Sequence, residues 1–260
     1  MSVAGRCFYR YYFTTMIFLC IFIVTLATLA YLHREKLSKK YRLYQERRQL
    51  LAWANSPPMK NAATIIDELY KNVNGMAISL NVRNAMTSPD DSLLYGEAVL
   101  YSFADLLALT EPKINEVFYD LGSGVGKPVF MAALLYDFSK AVGIELLEPL
   151  HREAMKCLKY FNASPLRERL YPQKNFNIHF VQSHILQADF SDATILFLNG
   201  SAFFGILWQR IIEKLKTLPV GARLIVTTKC LDESYFKLEH HGGHLMSWGL
   251  AAVSVYKKIR

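Results

Sequence analysis

From about residue 61 onward the chain alternates between two hydrophobic periods. Residues 62–73 and 97–109 repeat their apolar positions at the spacing of an amphipathic helix. Residues 117–121, 141–145, 177–181, 194–199 and 223–227 are short apolar, β-rich runs with helical stretches between them. Short β-rich runs that alternate with helices predict an α/β fold, with a mostly parallel sheet covered by helices. The end of the chain departs from this rhythm: 244–248 and 251–257 are β-like, with only a tight Gly249 between them. That spacing predicts an antiparallel hairpin at the sheet edge.

The first 60 residues follow a different pattern. Residues 11–32 form an uncharged run of about 33 Å as a helix, which matches the hydrocarbon thickness of a bilayer. A single transmembrane helix is expected there, with Tyr9, Tyr11, Tyr12 and Tyr31 as interfacial aromatics. A cleaved signal peptide is the alternative, with Thr28 and Ala30 as its small residues. Arg6 and Arg10 precede the run, whereas Arg34, Lys36, Lys39, Lys40, Arg42, Arg47 and Arg48 follow it. Positive-inside counting places the C-terminal body in the cytoplasm or an equivalent compartment. Residues 33–60 read as a basic stalk, or as a helix touching anionic headgroups, that ends at Asn55-Ser-Pro-Pro58. The expected organisation is a tail over 1–10, a membrane helix over 11–32, a stalk over 33–60 and a catalytic domain over 61–260.

Charge sharpens the division. The net charge is +8, but residues 1–60 hold 10 Lys/Arg against 2 Asp/Glu, and residues 61–260 hold 20 of each. A neutral body is poorly suited to a phosphate backbone, so no nucleic-acid partner is expected. Cys7, Cys20, Cys157 and Cys230 are scattered, as reduced structural thiols are. The histidine-rich run at 240–244 reads as a polar turn, and no metal is expected.

The candidate chemistry lies in 118–128, FYDLGSGVGKP. A phosphate-binding P-loop needs GxxxxGK and a hydroxyl, but Leu121 stands at the first glycine and Pro128 at the hydroxyl position. Gly122, Gly124 and Gly126 give GxGxG, not the GxGxxG of dinucleotide loops. An acid before the turn, Asp120, suits a cation better than a phosphate, and the ammonium of an amino-acid moiety is such a cation. The next strand ends in Glu145, where a carboxylate can accept ribose hydroxyls. Together they point to S-adenosyl-L-methionine.

With these residues in hand, the body resembles the disruptor-of-telomeric-silencing type of lysine methyltransferase, a class I (Rossmann-like) methyltransferase fold. The resemblance covers most of 85–258. It rests on Tyr95-Gly-Glu97 with SFADLL, the 120–126 loop, Val142-Gly-Ile-Glu145, and Ile195-Leu-Phe-Leu-Asn199 followed by Phe203. It closes with Gly221-Ala-Arg-Leu-Ile-Val226 and Met246-Ser-Trp248. The resemblance implies that Tyr95 and Glu97 lie on a loop closing over the methionine part of the cofactor, and that Asp120, Gly122 and Gly124 line it. Glu145 would hold the ribose and Asn199 would sit beside the sulfonium. Phe203, Phe204, Trp248 and Tyr256 are candidate aromatic walls for the acceptor amine, with plain core packing as the alternative for each.

This chain departs from the family at three places. Ser183-His184 replaces the Gly-Asp pair that contacts adenine, leaving His184, Asp189 or backbone groups for that task. Lys127 replaces a neutral glutamine and reads as a solvated first-turn residue. The neutral body, attached to a basic segment beside an apolar one, leads to a substrate other than chromatin. The expected function is thus a membrane-anchored protein N-methyltransferase, lysine-directed, acting on a protein near the bilayer. Methylation of a small amphiphile and non-catalytic cofactor binding are the alternatives.

Overall fold

The computed structural model describes Arg34 and residues 52–86 and 95–260. The expected membrane segment 11–32 and nearly all of the basic stalk lie outside the described residues. Among the described residues, no helix is long and apolar enough to cross a membrane. The chain divides into Met1–Ser56 and Pro57–Arg260, and the second unit carries the sheet.

Seven strands form one sheet in the order β3-β2-β1-β4-β5-β7-β6. β1 (Val117–Leu121), β2 (Lys140–Glu145), β3 (Ile178–Gln182), β4 (Ile195–Leu198) and β5 (Arg223–Thr227) are parallel. β7 (Gly249–Lys258) runs antiparallel beside β5, and β6 (Phe236–Met246) is the outer edge. Strand order reverses between β1 and β4, and a crevice opens outside their carboxyl ends, where ligands of such sheets bind.

The α-helices described within Pro57–Arg260 are α1 (Pro57–Tyr70), α2 (Gly75–Asn84), α3 (Leu100–Ala108), α4 (Lys127–Leu135), α5 (Glu148–Ala163), α6 (Pro165–Leu170) and α7 (Gly205–Leu215). Pro57 and Pro58 fall in the first turn of α1, where a missing N–H costs no hydrogen bond. Successive β1 side chains serve opposite faces: Phe118 packs in the core under α1, α3, α4 and α5, and Tyr119 and Leu121 pack under α7. Phe103 of α3 is fully buried edge-on to Phe118 and Phe197, with ring centroids 6.1 and 5.2 Å away. Phe103→Ala should cost about 3–5 kcal/mol of stability, read by denaturant unfolding.

Two expectations change at the edge of the sheet. The histidine run at 240–244 is strand, not turn. It lies within β6, where His240 and His244 share a face and their Nε2 atoms meet 3.1 Å apart. Gly242 stands between them, where a Cβ would lie 3.1 Å from His240 Nε2 and crowd the meeting rings. Among the described residues no group of three or more His, Cys, Asp or Glu is placed to hold a metal. The predicted 97–109 helix also starts later, at Leu100, because Glu97 and Ala98 are drawn to the tip of the β6–β7 hairpin. There Ala98 bridges Met246, Ser247 N–H donates to Glu97 O at 3.0 Å, and Glu97 N–H donates to Ser247 Oγ at 2.9 Å.

Candidate active site

The loop between β1 and α4 is shaped by three left-handed glycines, with φ of +85° at Gly122, +56° at Gly124 and +86° at Gly126. Side chains rarely adopt this conformation, and at Gly124 and Gly126 close neighbours exclude them as well. A Cβ on Gly124 would lie 2.6 Å from the Tyr95 ring, and one on Gly126 would lie 2.4 Å from the Phe180 ring. The turn is pinned to the end of β2: Gly122 and Ser123 donate their N–H groups to Ile144 O at 2.8 and 3.0 Å.

Glu145 completes that pinning. Its Oε2 accepts the Gly124 N–H and its Oε1 accepts the Leu147 N–H, both at 2.8 Å. Burial pushes its carboxyl above the usual range, and the backbone amides pull it part of the way back. Asp120 differs. It is 1% exposed and its Oδ2 has no hydrogen-bond partner. Burial, and then the neighbouring Glu145, hold its carboxyl well above the usual range. A buried, unpartnered carboxyl is costly unless a cation arrives. This is the feature that fits the ammonium of a methionine moiety.

Asp120 lines one end of a cleft with Gly122, Gly124, Glu97 and Trp248, and the cleft continues past Tyr95 and Asn199 to Glu145, His184 and Phe203. The cleft is concave and lined by apolar side chains with a few polar groups, as small-molecule sites are. The structure therefore brings Tyr95, Glu97, Asp120, Gly122, Gly124, Glu145, His184, Asn199 and Phe203 to one site. Asn199 also serves a turn. Its Oδ1 accepts the Thr227 hydroxyl at 2.6 Å and the Ser201 N–H at 3.3 Å, which leaves the Nδ2 end as the donor still to be used.

Two predicted residues lie elsewhere. Asp189 is exposed, bound to the Ser191 N–H at 3.0 Å, and does not line the cleft, whereas His184 does. Tyr256 is 2% exposed in the core, opposite Leu224, and its hydroxyl accepts the Leu231 N–H at 3.3 Å. The reason is strand direction: β7 runs away from the cleft, so a residue seven positions after Gly249 has reached the other end of the sheet. Tyr256→Phe should leave turnover intact and cost about 1 kcal/mol of stability for the lost hydrogen bond. Lys127 is corrected as well. It is not solvated: Nζ pairs with Glu97 Oε2 at 2.5 Å, and both side chains are about four-fifths buried. No local signal marks this contact, because its partners are 30 residues apart.

A sheet of this order, with a glycine loop after β1 and acids at the ends of β1 and β2, is the class I (Rossmann-like) methyltransferase fold. The family model described as histone methylation protein DOT1 matches residues 79–246, and the chain belongs to that family. It is 36% identical over 130 residues to a histone-lysine N-methyltransferase, H3 lysine-79 specific, of Caenorhabditis elegans, covering 44% of this chain and 12% of that protein. It is 28% identical over 163 residues to the enzyme of the same name in Yarrowia lipolytica, covering 57% and 30%. The chain thus spans less than a third of the length of these relatives. In fold it is similar to a putative RNA methyltransferase of Pyrococcus horikoshii (TM-score 0.51, 12% identity, 79% of this chain and 99% of that one).

These matches correct the expected localisation. The relatives that share this domain are named as histone-lysine enzymes, and no described helix is long and apolar enough to cross a membrane. Apolar length over 11–32 satisfied a spanning criterion, but that criterion tests only whether a segment can span.

Proposed function

We propose that this chain is a protein-lysine N-methyltransferase whose acceptor is a lysine side chain on a histone-type protein. The observation that carries the reading is convergence: the family's motif residues, scattered from Tyr95 to Trp248, line one cleft around an unpartnered buried carboxyl. Asp120 would hold the cofactor's ammonium, Glu145 its ribose hydroxyls, and His184 would flank its base. Bound there, the cofactor supplies a methyl group already activated on a sulfonium. What remains for the protein is positioning and dehydration.

Phe203, Ala202 and Leu207 make the mouth beyond Asn199 apolar, which favours the neutral form of an entering amine over its ammonium. Next to Phe203, the Phe204 ring already carries the chain's own Lys229 Nζ, 4.1 Å from its centroid. That contact supports an aromatic surface suited to a lysine head. This reading replaces the expectation of a substrate other than chromatin, which rested on the neutral charge of 61–260: charge balance bears on nucleic-acid contact and does not select the protein acceptor.

Labelled S-adenosylmethionine, incubated with the full chain, core histones and a lipid extract, tests the proposal. Label should enter histone protein and be recovered as methyl-lysine. Label confined to the organic extract would instead identify a small amphiphilic acceptor, and a folded, cofactor-bound chain that transfers nothing would identify a binding protein.

A further inference from the structure

Lys127 opens α4 directly after the glycine loop, at the end of a helix where the backbone field disfavours a cation. A lysine there is out of place electrostatically, and its surroundings supply the reason. Its ammonium lies 2.5 Å from Glu97 Oε2 and 4.9 Å from the centroid of the Tyr70 ring. The other oxygen of Glu97 accepts the Tyr95 hydroxyl at 2.7 Å. Tyr70, in turn, donates its hydroxyl to Val125 O inside the glycine loop at 2.9 Å.

These contacts close a circuit. Tyr70 ties α1 to the loop, Lys127 ties the helix after the loop to Glu97, and Glu97 fixes Tyr95, whose ring lies against Gly124. Ser247 and Trp248 grip the same segment from the hairpin side, through the Glu97 backbone and over Gly96. Glu97 and Asp120 line the same end of the cleft, so two carboxylates would otherwise compete for one ammonium. Lys127 occupies one of them. The other, Asp120, keeps an oxygen without a partner.

We propose that Lys127 is a positioning residue for the cofactor: it engages Glu97, holds Tyr95–Glu97 over the glycine loop, and leaves Asp120 as the ammonium site. This rests on the reading of the cleft as the S-adenosylmethionine site. Glu97 is thereby a structural anchor of the covering segment and not itself a ligand to the amino group.

The test compares wild type, Lys127→Met, Lys127→Arg and Asp120→Asn as full chains. It measures S-adenosylhomocysteine affinity by calorimetry, and KM for the cofactor and kcat with histone acceptor. Lys127→Met keeps the aliphatic stem and removes the charge. It should weaken affinity about tenfold and raise KM for the cofactor by a similar factor, more than it changes kcat. Lys127→Arg should recover most of the loss, and adding Glu97→Gln to Lys127→Met should cost little more.

A folded Lys127→Met with wild-type affinity, while Asp120→Asn has lost its own, would overturn the role of Lys127 alone. Wild type that fails to bind would overturn the reading of the cleft, and this inference with it. Should Lys127→Met not fold, the Arg variant and Glu97→Gln decide. A Glu97→Gln variant that loses no affinity overturns the proposal.

Discussion

Asp120→Asn will weaken S-adenosylmethionine binding roughly thirtyfold or more, and will leave the ligand-free protein at least as stable as wild type. The first effect follows from removing the charge that meets a buried ammonium, a loss of about 2 kcal/mol or more. The second follows from geometry. Asp120 is 1% exposed with an unpartnered oxygen, so its ionised form is a cost to the empty protein. Burial and Glu145 raise its folded pKa, which means that the folded state holds the proton more tightly than the unfolded chain does. Ionised Asp120 therefore subtracts stability above its folded pKa, and that penalty fades as pH falls through it. Cofactor affinity runs the other way: it should fall as pH falls through the same pKa, because binding must release the proton. Calorimetry in buffers of different ionisation enthalpy reads this release directly. Equal affinity of the Asn variant, or a marked loss of its stability, would contradict this account of Asp120.

Glu145→Ala should also impair cofactor binding, but with the opposite effect on the fold. Its carboxylate satisfies two backbone amides, Gly124 and Leu147, at the junction of the glycine loop and β2. Removing it strands both donors, at about 2–4 kcal/mol after allowing for the relieved burial of its charge. For a domain of this size that is roughly 5–15 °C in thermal midpoint. Two acids at neighbouring strand ends thus differ in kind: one stabilises the empty loop, and the other waits for a ligand. A thermal shift of the same sign for both variants would erase that distinction.

Much of the fold was legible because the inner parallel strands β1, β2, β4 and β5 are buried on both faces and read as largely apolar runs. Arg223–Thr227 and Val117–Leu121 match their predicted limits. The hairpin was not legible to the same degree. β6 begins at Phe236, eight residues before the β-like run seen in the sequence; its first half was missed because this strand at the sheet edge is mostly exposed or half-buried between its two buried ends and carries polar residues there. For the candidate site, local motifs located Asp120, the glycines and Glu145. Contacts between distant segments were beyond them. Lys127 looked solvated because its partner, Glu97, lies 30 residues earlier, in the segment before α3. Tyr256 looked available because strand direction is invisible in composition.

The central claim is that the cleft holds S-adenosylmethionine with its amino group at Asp120. A crystal structure of the full chain with S-adenosylhomocysteine tests it most directly. The account predicts the ligand's ammonium within hydrogen-bonding distance of Asp120 Oδ2, its ribose at Glu145, and the Lys127–Glu97 pair intact beside it. A ligand whose ammonium sits on Glu97 with Lys127 displaced, or one bound away from the 120–126 loop, would contradict it.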